Sequence, residues 1–177
     1  MYDLYVKKGL FNKRGLVKLK EIFNREVIII KIVEIKKIID LSQLDITHLI
    51  KESKEEGFHF LLKLVNEYKS KTNTFSKMGE CLYGIFHEDT LIGIGGLNQD
   101  SYTKTETIGR LRRFYISKAY RRKGLGNLLL KRILSDAREH FQIVVLYTDT
   151  ERASQFYTSN GFLKSEEYKG STHYVKL

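Results

Sequence analysis

A strand, a basic turn and a helix follow one another without a break between Gly109 and His140. This succession constrains the chain more than any other part of it. It reads GRLRRFYISKAYRRKGLGNLLLKRILSDAREH. Arg110, Arg112, Arg113, Lys118, Arg121, Arg122 and Lys123 place seven positive charges within fourteen residues, with no acidic residue among them. The charges end at Gly124-Leu125-Gly126, where the apolar spacing of a helix begins. A helix N-terminus presents unpaired N–H groups and the positive end of the macrodipole, so it seats phosphate well. The stretch therefore predicts a site for a phosphate-bearing ligand.

The remaining composition fits an ordinary globular domain. The 177 residues suffice for one domain, or one domain with an extension. One cysteine, Cys81, cannot form an intramolecular disulfide and reads as a small strand residue suited to a reducing compartment. Val27-Ile28-Ile29-Ile30 is broken at Lys31, far short of the ~18 apolar residues a spanning helix needs. The cytoplasm is the expected location, with no membrane partner. Net charge is +10, of which residues 1–37 carry six, with ten Lys/Arg against four Asp/Glu. Two local basic regions on a near-neutral body point to local anionic ligands and do not in themselves argue for nucleic acid.

Along the chain, residues 1–26 form a basic extension, and the domain is expected over 27–177. Val27–Ile39 is β-branched and reads as a first strand. Asp40 or Ser42 is placed to cap a helix carrying Leu41, Leu44, Ile46, Leu49 and Ile50, which Gly57 ends. A second helix fits Phe58–Lys69, and Lys69–Lys77 reads as a loop. Glu80–Phe86 and Leu91–Leu97 form a hairpin signal around His87-Glu88-Asp89-Thr90. Gly93, Gly95 and Gly96 weaken the second strand, as where a group approaches the backbone closely or a strand bulges. After a polar turn at Asn98–Thr105 comes a strand over Thr107–Ile116. Beyond the basic turn, Leu125, Leu128, Leu129, Ile133, Leu134 and Ala137 make one helical stripe. Ile143–Tyr147 is a near-continuous apolar strand. Glu151–Ser159 is a short helix ending at Asn160-Gly161. Phe162–Tyr168 and His173–Leu177 close the order β-α-α-β-β-β-α-β-α-β-β, a mixed α/β sheet flanked by helices.

Arg121-Arg122-Lys123-Gly124-Leu125-Gly126 resembles the R/Q-x-x-G-x-G/A acetyl-CoA signature of the GNAT acetyltransferase superfamily. The strand before it ends in Phe114-Tyr115-Ile116, where that family has an apolar triplet. Downstream, Ala153, Phe156-Tyr157 and Gly161-Phe162 are similar to the family's A-x-x-F-Y-x-x-x-G-F block. The likeness covers residues 31–177, and both blocks fall in the right strand–helix contexts. It implies a mostly antiparallel sheet splayed at an acetyl-CoA site, acetyl-CoA as co-substrate, no metal, and a small-molecule or peptide amine as acceptor. It leaves a homodimer open.

By that resemblance the pyrophosphate lies on the backbone of Arg122 to Gly126, where a Cβ at 124 or 126 is expected to obstruct it. The neighbouring basic side chains add Coulomb attraction. The backbone of Phe114 and Ile116 binds the pantetheine arm like an added strand, and Tyr157 protonates the leaving thiolate. Thr150 stands where the family often has an asparagine that contacts pantetheine. Where many members carry a glutamate as general base, this strand has Arg110, Arg112 and Arg113. Glu106, Glu80 and His87 are the other candidates for a base, and a water relay or a neutral amine needs none of them. A P-loop is excluded because no Lys-Ser/Thr pair follows the glycines. Two other readings stand beside acetyl transfer: a silent acyl-CoA-binding module, and a nucleic-acid binder through residues 1–37 and 110–123. The first two helices and the loops at 69–77 and 98–105 are expected to choose the acceptor. Arg112 or Arg113, if turned into the acceptor cleft, favours a carboxylate-bearing amine.

Overall fold

The computed structural model describes residues 33–103 and 105–177. The basic extension and the first part of the expected opening strand lie outside these residues. The elements are β1 (Val33–Lys37), α1 (Thr47–Glu55), α2 (Phe60–Lys69), β2 (Cys81–His87), β3 (Thr90–Gln99), β4 (Ile108–Ile116), α3 (Leu125–Ala137), β5 (Ile143–Leu146), α4 (Glu151–Ser159), β6 (Leu163–Lys164) and β7 (His173–Lys176). Their order matches the sequence expectation. The sheet runs β1-β2-β3-β4-β5-β7-β6. The β2–β3, β3–β4, β5–β7 and β6–β7 pairs are antiparallel, and β4–β5 is parallel.

Boundaries moved where local chemistry competed with periodicity. The Asp40 carboxylate accepts from the Ser42 N–H but caps only a 3₁₀ turn over Leu41–Gln43. Asp45 then takes the Thr47 N–H, an alternative to continuing the helix, so α1 starts afresh at Thr47. The hairpin is tighter than expected: His87 pairs Thr90 across Glu88-Asp89, and both of these have positive φ, as a two-residue primed turn requires. On α3, Leu130 is buried and Leu128 is 39% exposed, so the inward stripe is Leu125, Leu129, Leu130, Ile133 and Ala137. Tyr147 falls outside β5 and is exposed. The expected strand over Phe162–Tyr168 is reduced to Leu163–Lys164.

The core lies on both faces of the sheet. On one face, Leu49 of α1 and Leu61 and Leu64 of α2 pack with Leu82, Phe86, Ile94 and Tyr115. On the other, α3 lies against β2, β3 and β4. Burying a leucine or isoleucine of this kind contributes about 2 kcal/mol. The β3 glycines make room for large side chains from outside the strand. A Cβ on Gly95 would stand 2.8 Å from the Phe114 ring, and one on Gly96 would collide with the Phe75 ring. Cys81 is buried and desolvation pushes its thiol up to about 12, so it stays an unreactive core residue.

Candidate active site

Strand β4 opens the sheet. Its parallel pairing with β5 covers only Ile108↔Ile143, Gly109↔Val144 and Arg110↔Val145. Beyond Arg110, β4 continues to Ile116 without a partner on that side among the described residues, while its other edge stays paired to β3. The β3–β4 register shifts between Ile94 and Gly96, so β4 carries an extra residue opposite Gly95. Arg113 sits there with φ 57°, and the bulge bends the strand as it leaves β5. The Ser117 N–H donates to the Ile92 C=O of β3. Alternation along the strand therefore turns the backbone of Phe114 and Ile116 toward the free edge.

This edge leads, through a 3₁₀ turn over Lys118–Tyr120, into the glycine turn before α3. Arg122 and Gly124 have φ of 62° and 79°, on either side of Lys123, which lies outside that region. Such alternation turns successive N–H groups toward one concave side. Helix α3 starts at Leu125 with Gly124 as N-cap, no side-chain cap and no acidic residue in its first turn. Its first N–H groups and its dipole are left for an anion. Arg122 and Gly124 are exposed, whereas the Leu125 side chain is buried, leaving only its backbone for a ligand. The two glycines have different protein surroundings. A Cβ on Gly124 would meet no protein atom within 4 Å, so its left-handed backbone is what calls for glycine. A Cβ on Gly126 would stand 3.3 Å from the Phe156 ring, so that glycine admits α4 close to α3.

Two carboxylates missed in the sequence hold this turn in place. Glu52 of α1 and Glu56, the residue that caps its C-terminus, both accept from the Tyr115 hydroxyl, at 2.9 and 2.6 Å. Glu52 also accepts from the Lys118 N–H (2.8 Å) and the Ser117 hydroxyl (3.1 Å). Glu56 forms a two-pronged pair with Arg121, and the Arg121 Nε donates to the Ile116 C=O at 2.7 Å. Arg121 holds the Glu56 carboxyl well down, at about 2, and Tyr115 adds to the effect. The Arg121 guanidinium is committed to Glu56, and the Tyr115 side chain points at α1, away from the free edge of β4. Only the i,i+4 spacing of two glutamates on a helix signalled the clamp.

The second sequence block comes to the same place. Tyr157 is buried against Phe114 (ring centroids 6.2 Å apart), Phe156 (5.1 Å) and Phe162 (5.6 Å). Burial pushes its phenol well up from the usual tyrosine value, so the hydroxyl stays protonated around neutrality. Thr150 is the N-cap of α4, its hydroxyl accepting from the Ala153 N–H at 3.4 Å. Its structural task is thus the helix start.

Of the candidate bases, Glu80 accepts from the Lys77 and Gln99 N–H groups and is a structural link. His87 lies at the hairpin end with its Nδ1 3.2 Å from the Tyr120 hydroxyl. Glu106 is exposed, ahead of the paired section of β4 and away from its free edge. The strand arginines are partly spoken for. Arg110 and Asp100 form a buried ion pair, and Arg110 also donates to the Gly170 and Lys169 C=O groups. Arg113 pairs with Glu67 of α2 at 2.7 Å.

The sheet thus parts beside a bulged strand, next to an uncapped left-handed turn and a buried tyrosine. Residues 78–164 match the family model of the acetyltransferase (GNAT) domain. A solved candidate acetyltransferase of Exiguobacterium sp. 255-15 is 27% identical, with 81% of this chain and 93% of that one covered at a TM-score of 0.72. An acetyltransferase from Streptococcus agalactiae 2603 is 18% identical (82% and 99% covered, TM-score 0.63). A GNAT-family acetyltransferase from Staphylococcus aureus Mu50 is 15% identical (82% and 99% covered, TM-score 0.60); these last two share the fold. No curated protein sequence matches the chain. The chain thus carries a GNAT acetyltransferase domain over residues 78–164. Among the described residues no helix is long and apolar enough to cross a membrane.

Proposed function

We propose that the chain moves the acetyl group of acetyl-CoA onto the amine of an acceptor, by direct attack while both are bound. One observation carries the reading: the unpaired length of β4 runs straight into an uncapped, left-handed turn, with Tyr157 packed on Phe114 across the opening. That edge and turn fit a pantetheine arm followed by a pyrophosphate. Acetyl-CoA supplies an activated thioester. The backbone of Phe114 and the N–H of Ile116 hold the arm, the N–H groups from Arg122 to Gly126 hold the pyrophosphate, and Arg122 and Lys123 add charge. Leu125 contributes its backbone only, and Thr150 frames the far side.

As the amine nitrogen bonds to the acetyl carbon and the C–S bond breaks, the thiolate takes the proton held at the Tyr157 Oη. The surplus amine proton leaves to water, and solvent reprotonates Tyr157. A backbone N–H at the bulge faces the oxygen that gains charge. The test joins thermal stabilisation by acetyl-CoA with thiol release across an amine panel. Stabilisation with amine-dependent thiol release is expected. Stabilisation without release supports a silent acyl-CoA-binding module, and the absence of both refutes the reading.

A further inference from the structure

Building on that reading, we infer that Arg112 docks a carboxylate of the acceptor, so that the substrate is an amine that also bears a carboxylate. Arg112 lies opposite Gly96, and Arg110 opposite Asn98. This is the sheet face covered by α2 and the loop after it. The Asn98 side chain bonds Asn73, and a Cβ on Gly96 would run into Phe75. Because the bulge inserts one residue, Arg113 also reaches this face, where it meets Glu67. Three guanidinium groups are therefore gathered beside the bulge, at the place where the sheet opens.

Their charges do not balance. Asp100 neutralises Arg110 and Glu67 neutralises Arg113. Arg112 has no carboxylate partner among the described residues; its one side-chain bond is to the Ser101 hydroxyl at 3.1 Å. It is half-buried, and burial together with the nearby Arg110 and Arg113 charges lowers its pKa from the usual arginine value. A cation desolvated beside two like charges is costly unless an anion joins it. The buried side-chain atoms without a partner among the described residues are Arg112 Nε, Arg113 Nε and Thr103 Oγ1. All three belong to the bulge or to the loop that carries Ser101. Set against Asp100 and Glu67, the three arginines leave one positive charge over, and Glu67 is shared with the exposed Lys63, so an anion is called for; a planar carboxylate matches the guanidinium fork. A substrate held there by its carboxylate lies on the α2 side of β4, while the acetyl group arrives along the strand's free edge.

The experiment uses the full chain and matched sets of amines: an amino acid, its carboxamide and its decarboxylated amine. Thiol release gives kcat/KM, and acetyl-CoA stabilisation is measured in parallel. The carboxylate is expected to be preferred over the carboxamide by roughly ten- to hundredfold, the size of a charge-assisted pair. In Arg112→Gln that ratio is expected to fall to near one, chiefly through KM for the carboxylate, and Arg112→Lys is expected to keep part of it. Equal use of carboxamide and carboxylate by the unmodified protein overturns the assignment, needs no variant, and leaves acetyl transfer standing. An unchanged ratio in Arg112→Gln overturns it too. Absence of acetyl-CoA stabilisation overturns acetyl transfer itself, and this assignment with it.

Discussion

Replacing Glu56 by glutamine tests whether the phosphate turn is held from α1. The carboxylate is drawn from its ordinary 4.5 to about 2 by Arg121 and Tyr115. At 1.36 kcal/mol per decade that difference corresponds to about 3 kcal/mol. Both partners keep 19% of their side-chain exposure, so solvent screening reduces the expected loss to about 2 kcal/mol. For a chain of this size, that loss lowers the melting temperature by roughly 4–8 °C. The sign with pH follows from the depressed value. The carboxylate's stabilisation is complete above about 4.5 and is lost as pH falls through about 2. Urea unfolding of both proteins at pH 7 and pH 3 should therefore show a gap that is full at pH 7 and roughly half closed at pH 3. At pH 7, acetyl-CoA affinity should weaken as well, because Arg121 also grips the Ile116 C=O at the free edge of β4, where the proposed reading lays the pantetheine arm. A gap below about 0.5 kcal/mol at pH 7, or one equally large at both pH values, refutes the clamp as an energetic element.

Three further changes separate site from scaffold. Gly124→Glu adds a side chain into open space at a left-handed position, so its cost to folding is about 1–2 kcal/mol. Its negative charge opposes the ligand at the phosphate seat, and loss of the acetyl-CoA thermal shift from a folded protein is the expected result. Tyr157→Phe keeps the aromatic packing with Phe114 and Phe162 and removes only the proton donor; kcat should drop at least tenfold with little change in acetyl-CoA affinity, and an unchanged kcat removes the role. Asp100→Asn leaves the Arg110 guanidinium buried without its counter-charge and should cost about 3–5 kcal/mol, read as a fall in melting temperature of ~10 °C.

Much of the architecture was legible because each element carried its own pattern. The helix after Gly124, the IVVL strand and the Asn160-Gly161 stop need no distant partner to be read. What escaped the sequence depends on partners far apart in the chain. Asp100 and Arg110 look like a turn residue and a strand residue until the β3–β4 register brings them together. Glu52 and Glu56 look like a solvated helix face, and only the fold sets them against Tyr115, Ser117, Lys118 and Arg121. The bulge was also hidden. The glycines of β3 marked the place, but the extra residue is on β4, at an arginine no propensity would choose for positive φ. Of the candidate site, the left-handed turn at Gly124 was readable from glycine spacing, whereas the side-chain partners around it were not.

The seven clustered charges illustrate why a basic run is a poor guide to a basic patch. Alternation along β4 and the bulge send Arg110, Arg112 and Arg113 to the α2 face, where Asp100 and Glu67 cancel two of the three. Arg121 turns back onto Glu56. Lys118, Arg122 and Lys123 remain around the turn before α3, with the Lys123 Nζ bonded to the Ala119 C=O. The run thus divides into a neutralised scaffold, one unbalanced guanidinium beside the opening and a small cationic group beside the helix N-terminus. Among the described residues the fold disperses these seven charges instead of lining them along one groove. The same dispersal separates their responses to salt. Attraction of a phosphate to exposed Arg122 is screened over about 10 Å at 0.1 M, whereas a carboxylate on half-buried Arg112 is shielded from the ions. Rising ionic strength should accordingly raise KM for acetyl-CoA more than KM for a carboxylate-bearing acceptor, and the opposite order would mean that the two halves of the site have been assigned the wrong way round.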